Sequence, residues 1–423
     1  MKKRDFLKQM GLAAVSLPFV SGDMISWLEN YKDYSPNALS QEEDFWLKVR
    51  SDYDLKPEYV NLESGYYNII PKPTLKALDK HITNVNREGS YYMRTVQWDN
   101  KKRVAEKLAN VIGSTAKNVI ITRNTTESLD MVIKGMSWEK GDEAVFAKQD
   151  YGAMRVMFDQ VSDRFGVVNK IISVPNHPSS DDEIVELYAN AITPKTKLLM
   201  VCHMINITGQ ILPVKKICKM AHEKGVQVMV DGAHCVGHFE FDINDLDCDY
   251  YGSSLHKWMA APLGTGMLYV KDEHIDTLWP IFAEYKREPG DISRLNHTGT
   301  IPVYHDLAIE DAIDYYNLLG GERKEARLRY LQEYWTSQVR NVRNIVVNTP
   351  QDSQRACGIA NVRIATMTPA QLEKRLMDEY KIFTVAIDYE NVKGCRITPN
   401  VFTTTDELDF FVMALKEMAS ERF

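Results

Sequence analysis

A chain of 423 residues, 44% hydrophobic and 26% charged, has the composition of an ordinary globular enzyme and length for two or three domains of roughly 150 residues each. Its formal charge of −7, with no Lys/Arg block beyond the N-terminus, argues against nucleic-acid binding. No apolar run reaches the ~20 residues of a spanning helix. The six cysteines (Cys202, Cys218, Cys235, Cys248, Cys357, Cys395) are scattered without a Cys-x-x-Cys, so neither a zinc site nor a dense disulfide framework follows. Most read as small buried hydrophobes, with one or two disulfides open in an exported protein.

Residues 1–22 read as a signal-like segment: basic Lys2, Lys3 and Arg4, then an apolar run over 10–20. The stretch resembles a twin-arginine signal (two arginines, any residue, then Phe-Leu-Lys), with Lys3 where the first arginine is expected. It predicts export to the periplasm; the alternative is an amphipathic N-terminal helix of a cytoplasmic protein. Residues 23–40 are polar and irregular and read as a linker. An N-terminal piece over 41–70, beginning with an amphipathic helix over 41–50, is expected to pack on a small C-terminal domain.

Helical spacing follows over 71–87 (Leu75, Leu78, Ile82, Val85) and 98–112. Strands over 118–122, 143–147, 167–174, 197–203 and 226–230 then alternate with helices over 125–134, 153–163, 181–192 and 214–224. Strands over 250–255 and 264–270 complete the run. Near-continuous apolar strands alternating with helices predict an α/β fold with a mostly parallel sheet covered on both faces, a large domain over 71–300. After about Thr300 two long helices and an α+β pattern predict a smaller C-terminal domain over 301–423.

The candidate chemistry lies at strand ends, where open parallel sheets bind ligands. Asp231 ends one apolar strand and Lys257 follows the next; such a pair suits pyridoxal 5'-phosphate, the lysine forming a Schiff base and the acid meeting the pyridinium nitrogen. Apolar neighbours Trp258, Met259 and Ala260 would lower the lysine pKa toward nucleophilic use, although a lysine at a strand end is also an ordinary surface residue. Asp231 also reads as a structural cap. His234 is placed to meet the ring hydroxyl or the substrate, though a lone histidine is more often structural. Asn124, Thr125 and Thr126 open a helix straight after a strand, which suits a phosphate and equally a plain N-cap. Ser254 and His256 offer further phosphate donors. Tyr151 is placed to stack on a cofactor ring, and His203 and Asn206 close another strand. No Gly-x-Gly-x-x-Gly, Walker, His-Glu-x-x-His or Gly-x-Ser-x-Gly pattern is present to support a nucleotide, zinc or serine-hydrolase site.

Taken in order, TRNTTE (122–127), QDYGA (149–153), HMINITG (203–209), DGAH (231–234), LHKW (255–258) and GTGMLY (264–269) resemble the class V aminotransferases of pyridoxal phosphate fold type I. The isopenicillin N epimerase-like branch is the most similar, and cysteine desulfurases are more distant. The resemblance covers roughly residues 60–415. It implies Lys257 as the lysine bound to the cofactor and Asp231 on the ring nitrogen. Tyr151 falls on the ring face, and Thr126, Ser254 and His256 fall at the phosphate. Thr300 would reach the phosphate of a neighbouring subunit, hence a homodimer with shared sites, and Arg396 would hold the substrate carboxylate. Desulfurases of this class carry a catalytic cysteine on a loop before that arginine; here 384–393 lacks one, and Cys395 adjoins Arg396. His234 also stands where desulfurases tend to have glutamine.

The expectation is an enzyme acting at the α-carbon of a small amino acid or derivative, by epimerisation or transamination, with catalytic roles for Lys257, Asp231 and His234. A second proton donor for epimerisation is sought in His234 or Tyr151. The alternatives are β-elimination, C–S lyase or desulfurase-like activity, and a non-catalytic binding protein on the same fold. No metal, nucleic acid or membrane span enters the reading.

Overall fold

The computed structural model describes residues 22–284 and 287–421. The expected signal segment therefore lies outside the described residues, apart from its last position. The strands are β1 (Val60–Asn61), β2 (Val119–Thr122), β3 (Glu143–Ala147), β4 (Val168–Ile172), β5 (Thr196–Cys202), β6 (Gln227–Asp231), β7 (Tyr250–Ser254), β8 (Gly266–Val270), β9 (Ile345–Val347), β10 (Ala360–Ile364), β11 (Ile382–Phe383), β12 (Val385–Tyr389) and β13 (Val392–Ile397).

Seven of them form the large sheet in the order β2-β8-β7-β6-β5-β3-β4. All neighbours are parallel except β8, which runs antiparallel to both β2 and β7. The near-continuous apolar strands are explained by cover on both faces. Val145, Leu199, Val201, Val228 and Val230 enter one core, while Phe146, Leu198, Met200 and Met229 alternate into the other. The edge strand β4 carries the polar residues Asn169 and Lys170 and is only partly covered.

The C-terminal unit is an antiparallel sheet, β12-β13-β10-β9. Helices Gly321–Val339, Pro369–Tyr380 and Thr405–Ser420 cover it around Trp335, Leu376 and Phe411. Thr368 with Gln371, and Thr404 with Glu407, form complete capping boxes that start two of these helices. The parallel pair β1–β11 joins the N-terminal piece to this unit. Helix Val303–Leu319 packs against Lys72–Glu88 and Gln97–Val111. The boundary drawn at residue 300 therefore precedes a helix that belongs with the larger unit.

The linker reading of 23–40 is overturned. Gly22–Glu29 and Pro36–Leu39 are helical, with Met24, Leu28 and Leu39 buried. A polar average concealed a short stripe, Met24, Trp27 and Leu28, at i, i+3 and i+4. Trp27 stacks on Phe45 at 4.7 Å. The fully buried guanidinium of Arg327 donates to the carbonyls of Ser40 (2.9 Å) and Thr403 (3.0 Å) and pairs with Glu43. All six cysteines are buried and free, so none forms a disulfide.

The two units meet where the loop after β5 crosses the segment before β10. Gly209 has φ +74°, and a Cβ there would lie 2.0 Å from the Ile359 carbonyl oxygen. Thr349 Oγ1 donates to the Thr208 carbonyl at 2.6 Å in the same crossing. Both the left-handed backbone and the close approach require glycine. Gly209→Ala is expected to destabilise the fold by about 3 kcal/mol, read as a lowered midpoint in urea denaturation.

Candidate active site

A pocket of about 320 Å³ opens at the carboxyl ends of the parallel strands. The side chains that converge there come from the last residues of β6 (Asp231) and β7 (Ser254), the turn after β7 (His256, Lys257) and the start of helix Thr125–Gly135. Tyr151, Asn206 and Arg396 complete the wall. Eight of the nine residues expected at the cofactor thus share one cavity, along with His234 and Arg396.

One end of the pocket is built for an anion. Asn124 caps the helix by accepting from the Glu127 amide at 2.9 Å. The Ser254 hydroxyl bridges the Thr125 amide (3.0 Å) and hydroxyl (2.7 Å). A Cβ at Gly266 would lie 2.6 Å from the Asn124 Cα, so glycine there lets β8 press against the helix start. His256 donates from Nδ1 to the Thr265 carbonyl at 3.2 Å, which leaves Nε2 as the ring's remaining polar atom. Hydroxyls, an imidazole and the positive end of a helix dipole suit a phosphate.

The other end holds the acid and the lysine. Asp231 is buried, and its Oδ1 accepts from the Ala233 amide at 3.0 Å. Burial raises its pKa against the opposing effects of that bond and of Lys257. A buried acid with so little compensation suits a cationic partner such as a protonated ring nitrogen. Tyr151 is 48% exposed at the start of helix Gly152–Phe165, so its ring is uncovered at the pocket wall. The donor set fits the pyridoxal phosphate expected from the sequence: anion cradle, flat side chain, buried acid and lysine in one pocket.

Lys257 Nζ lies 3.1 Å from His234 Nε2, and the Trp258 indole N–H donates to His234 Nδ1 at 3.3 Å. An indole nitrogen can only donate. His234 Nδ1 is therefore an acceptor, its single proton sits on Nε2, and Lys257 must offer a lone pair to receive it. The geometry thus selects the neutral amine. Desolvation acts in the same sense, lowering the Lys257 pKa to about 8. Burial, followed by the nearby lysine, holds the His234 pKa well below the ordinary histidine value.

Two expected residues stand apart. His203 points into the core, where its Nδ1 meets the Tyr251 hydroxyl at 3.0 Å and its ring packs edge-on against Phe239 and Phe241. Thr300 is exposed and lines a separate cavity of about 220 Å³ with Tyr92, Asn296 and His297.

Sequence reasoning also missed two residues. In the sequence Trp258 reads only as an apolar neighbour of Lys257, and nothing local marks Glu63. Glu63 is buried behind Arg396 and pairs with it, Arg396 Nη2 to Oε1 at 2.6 Å and Nε to Oε2 at 3.1 Å. The signal was present: a buried arginine needs a counterion, and Glu63 lies in a segment expected to pack on the same unit. Trp258→Phe is expected to free the His234 tautomer and raise the Lys257 pKa above about 8 toward the ordinary lysine range. The pH dependence of reductive methylation of Lys257, followed by mass spectrometry, reads this directly.

Comparison with known proteins is consistent with this geometry. The family model for aminotransferase class-V matches residues 69–386. Isopenicillin N epimerase of Streptomyces clavuligerus is 26% identical over 397 residues, covering 89% of this chain and 99% of that protein. A probable cysteine desulfurase of Synechocystis sp. is 28% identical over 298 residues, covering 65% of this chain and 70% of its own. Among solved structures, the apo cysteine desulfurase of Thermococcus onnurineus NA1 superposes with a TM-score of 0.78 at 21% identity, over 88% of this chain and 97% of that one. A C-DES mutant with glycine covalently linked to its PLP cofactor gives 0.78 at 20% identity, over 87% and 99%. These likenesses share the fold type I architecture, and with the family match spanning most of its length the chain belongs to the class-V aminotransferase family.

Proposed function

We propose that this pyridoxal 5'-phosphate-dependent enzyme moves a proton at the amine-bearing carbon of an amino acid or derivative, as an epimerase-like enzyme or an aminotransferase. The observation that carries the reading is the Lys257 amine held 3.1 Å from His234 in the same pocket as Asp231. Bound pyridoxal phosphate supplies an electron sink for the carbon that bears the substrate amine. Thr125, Thr126, Ser254 and His256 would hold its phosphate, Asp231 would pair with the ring nitrogen, and Asn206 and Tyr151 would complete the wall around it.

Lys257 Nζ takes the proton from the carbon and returns it. His234 Nε2 touches the same nitrogen, so His234 and Lys257 act as one proton station on one side of the substrate. Epimerisation also needs a donor from the other side, a role that falls to Tyr151. Arg396, on the pocket wall, orients the polar end of the substrate. A desulfurase-like reaction is disfavoured by the thiols. Cys395 is buried on β13, with its pKa pushed up by burial to about 12. Cys202, on the pocket wall, is buried with its pKa raised well above the usual thiol value, chiefly by desolvation.

The homodimer, in which Thr300 of each copy completes the phosphate site of the other, rests on the family resemblance; among the described residues Thr300 lines a different cavity from the site it would serve. The expected periplasmic destination rests on the twin-arginine-like segment. Its test is fractionation of cells with and without the twin-arginine translocase: mature protein in the periplasm only when the translocase is present supports export.

Purified wild type is expected to be yellow and to bleach with borohydride, leaving the label on Lys257, while Lys257→Ala loses at least about a hundredfold in turnover. A wild type that cannot be reconstituted with pyridoxal phosphate would leave only the binding-protein reading. With an amino-acid panel, keto acid formed only beside an added acceptor identifies transamination. Isomer of opposite configuration alone identifies epimerisation, and keto acid without acceptor identifies elimination. Thr300→Ala mixed with Lys257→Ala is expected to recover part of the activity each lacks alone, because the hybrid dimer restores one intact site.

A further inference from the structure

Lys324 is a buried lysine that the proposed chemistry does not use. It lies in the first turn of helix Gly321–Val339, in the C-terminal unit, and is 6% exposed. Among the described residues its amine forms no ion pair. It donates to the Trp258 carbonyl and otherwise faces the Tyr316 ring, whose centroid lies 5.7 Å away. The Tyr316 hydroxyl is itself turned to Glu240. Desolvation lowers the Lys324 pKa to about 7. An amine buried with one carbonyl for a partner costs stability, and an apolar side chain of the same length would fill the same space at less cost. What the amine adds is one hydrogen bond, and its acceptor is the residue that follows Lys257.

That residue belongs to a turn that needs holding. Ala260 has φ +56°, a left-handed conformation that costs a non-glycine residue energy and persists only where the surroundings impose it. Its amide donates to the Lys257 carbonyl at 3.2 Å, closing the turn on the lysine. The C-terminal unit grips the same turn a second time. The Gly358 amide donates to His238 Nε2 at 2.9 Å, and a Cβ on Gly358 would come 3.1 Å from Trp258 Cη2. Backbone of that unit therefore rests against the indole and against the imidazole stacked on it. Lys324 fixes the carbonyl of Trp258, Gly358 bounds its ring, and the indole N–H is left aimed at His234 Nδ1. Direct charge does not account for the arrangement. After desolvation, the groups that act most on the Lys257 pKa are Asp231, Arg396 and Glu63, and Lys324 is not among them.

We propose that Lys324 is a positioning residue for the Lys257–His234 proton station, acting through the Trp258 carbonyl from outside the pocket. It ties the unit that carries Arg396 to the turn that carries Lys257, so the arginine and the reactive amine keep one register. The inference rests on the reading of Lys257 as the reactive amine and extends it to a residue that lines no part of the pocket.

The test compares full-length wild type, Lys324→Met, Trp258→Phe and the double variant by the pH midpoint of Lys257 reductive methylation, read by mass spectrometry in protein free of cofactor. Lys324→Met is expected to fold, since it removes a buried amine, and to raise the midpoint by about one pH unit, a tenfold gain in proton affinity, as the indole loses its aim. In the Trp258→Phe background the same substitution is expected to move the midpoint no further. An unchanged midpoint in folded Lys324→Met overturns the proposal. So does an equal rise in both backgrounds, which would mean that Lys324 acts by its own charge. If Lys324→Met does not fold, Lys324→Leu is read in its place, and failure of both assigns Lys324 to the fold and overturns the positioning role. A wild type that takes up no pyridoxal phosphate overturns the cofactor reading alone, because the midpoint is measured without it.

Discussion

The donor-only chemistry of one indole governs the reactive end of the pocket. Because the Trp258 N–H has no alternative role, His234 has only one neutral tautomer, and Lys257 is left with the task of accepting from it. Trp258 is itself held from two directions. Its ring stacks on His238 at 3.6 Å, and its carbonyl receives the buried Lys324 amine. His238 donates from Nδ1 to the His234 carbonyl and accepts from the Gly358 amide at 2.9 Å. A chain of fixed donors and acceptors therefore runs from the segment before β10, through two histidines and a tryptophan, to the amine. Preorganisation of this kind costs nothing at the moment of reaction, because the dipoles are already aimed.

The pocket is also a study in charge placement within low dielectric. The anion cradle uses hydroxyls, one imidazole and a helix start rather than a cluster of lysines. The buried Asp231 is left with one backbone donor, and Arg396 arrives with its counterion attached. Two poles are therefore matched to the charge of their expected guest, the hydroxyls and helix start to an anionic phosphate and the buried acid to a cationic ring nitrogen. A single extra buried charge at any pole would be expensive, which is why the identity of Glu63 matters as much as that of Arg396.

Much of this was legible in the chain. Strand–helix alternation with apolar strands specifies a sheet covered on both faces, and the rule that ligands gather at strand ends placed Asp231, Ser254 and Lys257 together without coordinates. The same rule could not distinguish His203 from His234. Both follow strands of the same sheet, but only the structure shows one imidazole turned into a nest of aromatic rings and the other toward the lysine. Glu63 was hidden for a different reason: its partner lies 333 positions away, and pairing at that distance leaves no local periodicity. The short stripe of Met24, Trp27 and Leu28 was hidden by averaging, since eight residues with polar neighbours on either side read as irregular.

The antiparallel strand β8 has a consequence for how the pocket is assembled. Because β8 turns back directly beside β7, Lys257 sits in a short connection closed by its own neighbours, between Ser254 and Gly266. Closing such a loop costs little chain entropy. The Arg396–Glu63 pair, by contrast, joins residues 333 positions apart. Loop-closure entropy thus separates the two poles, the lysine turn being the cheaper to close and the Arg396–Glu63 pair the more costly.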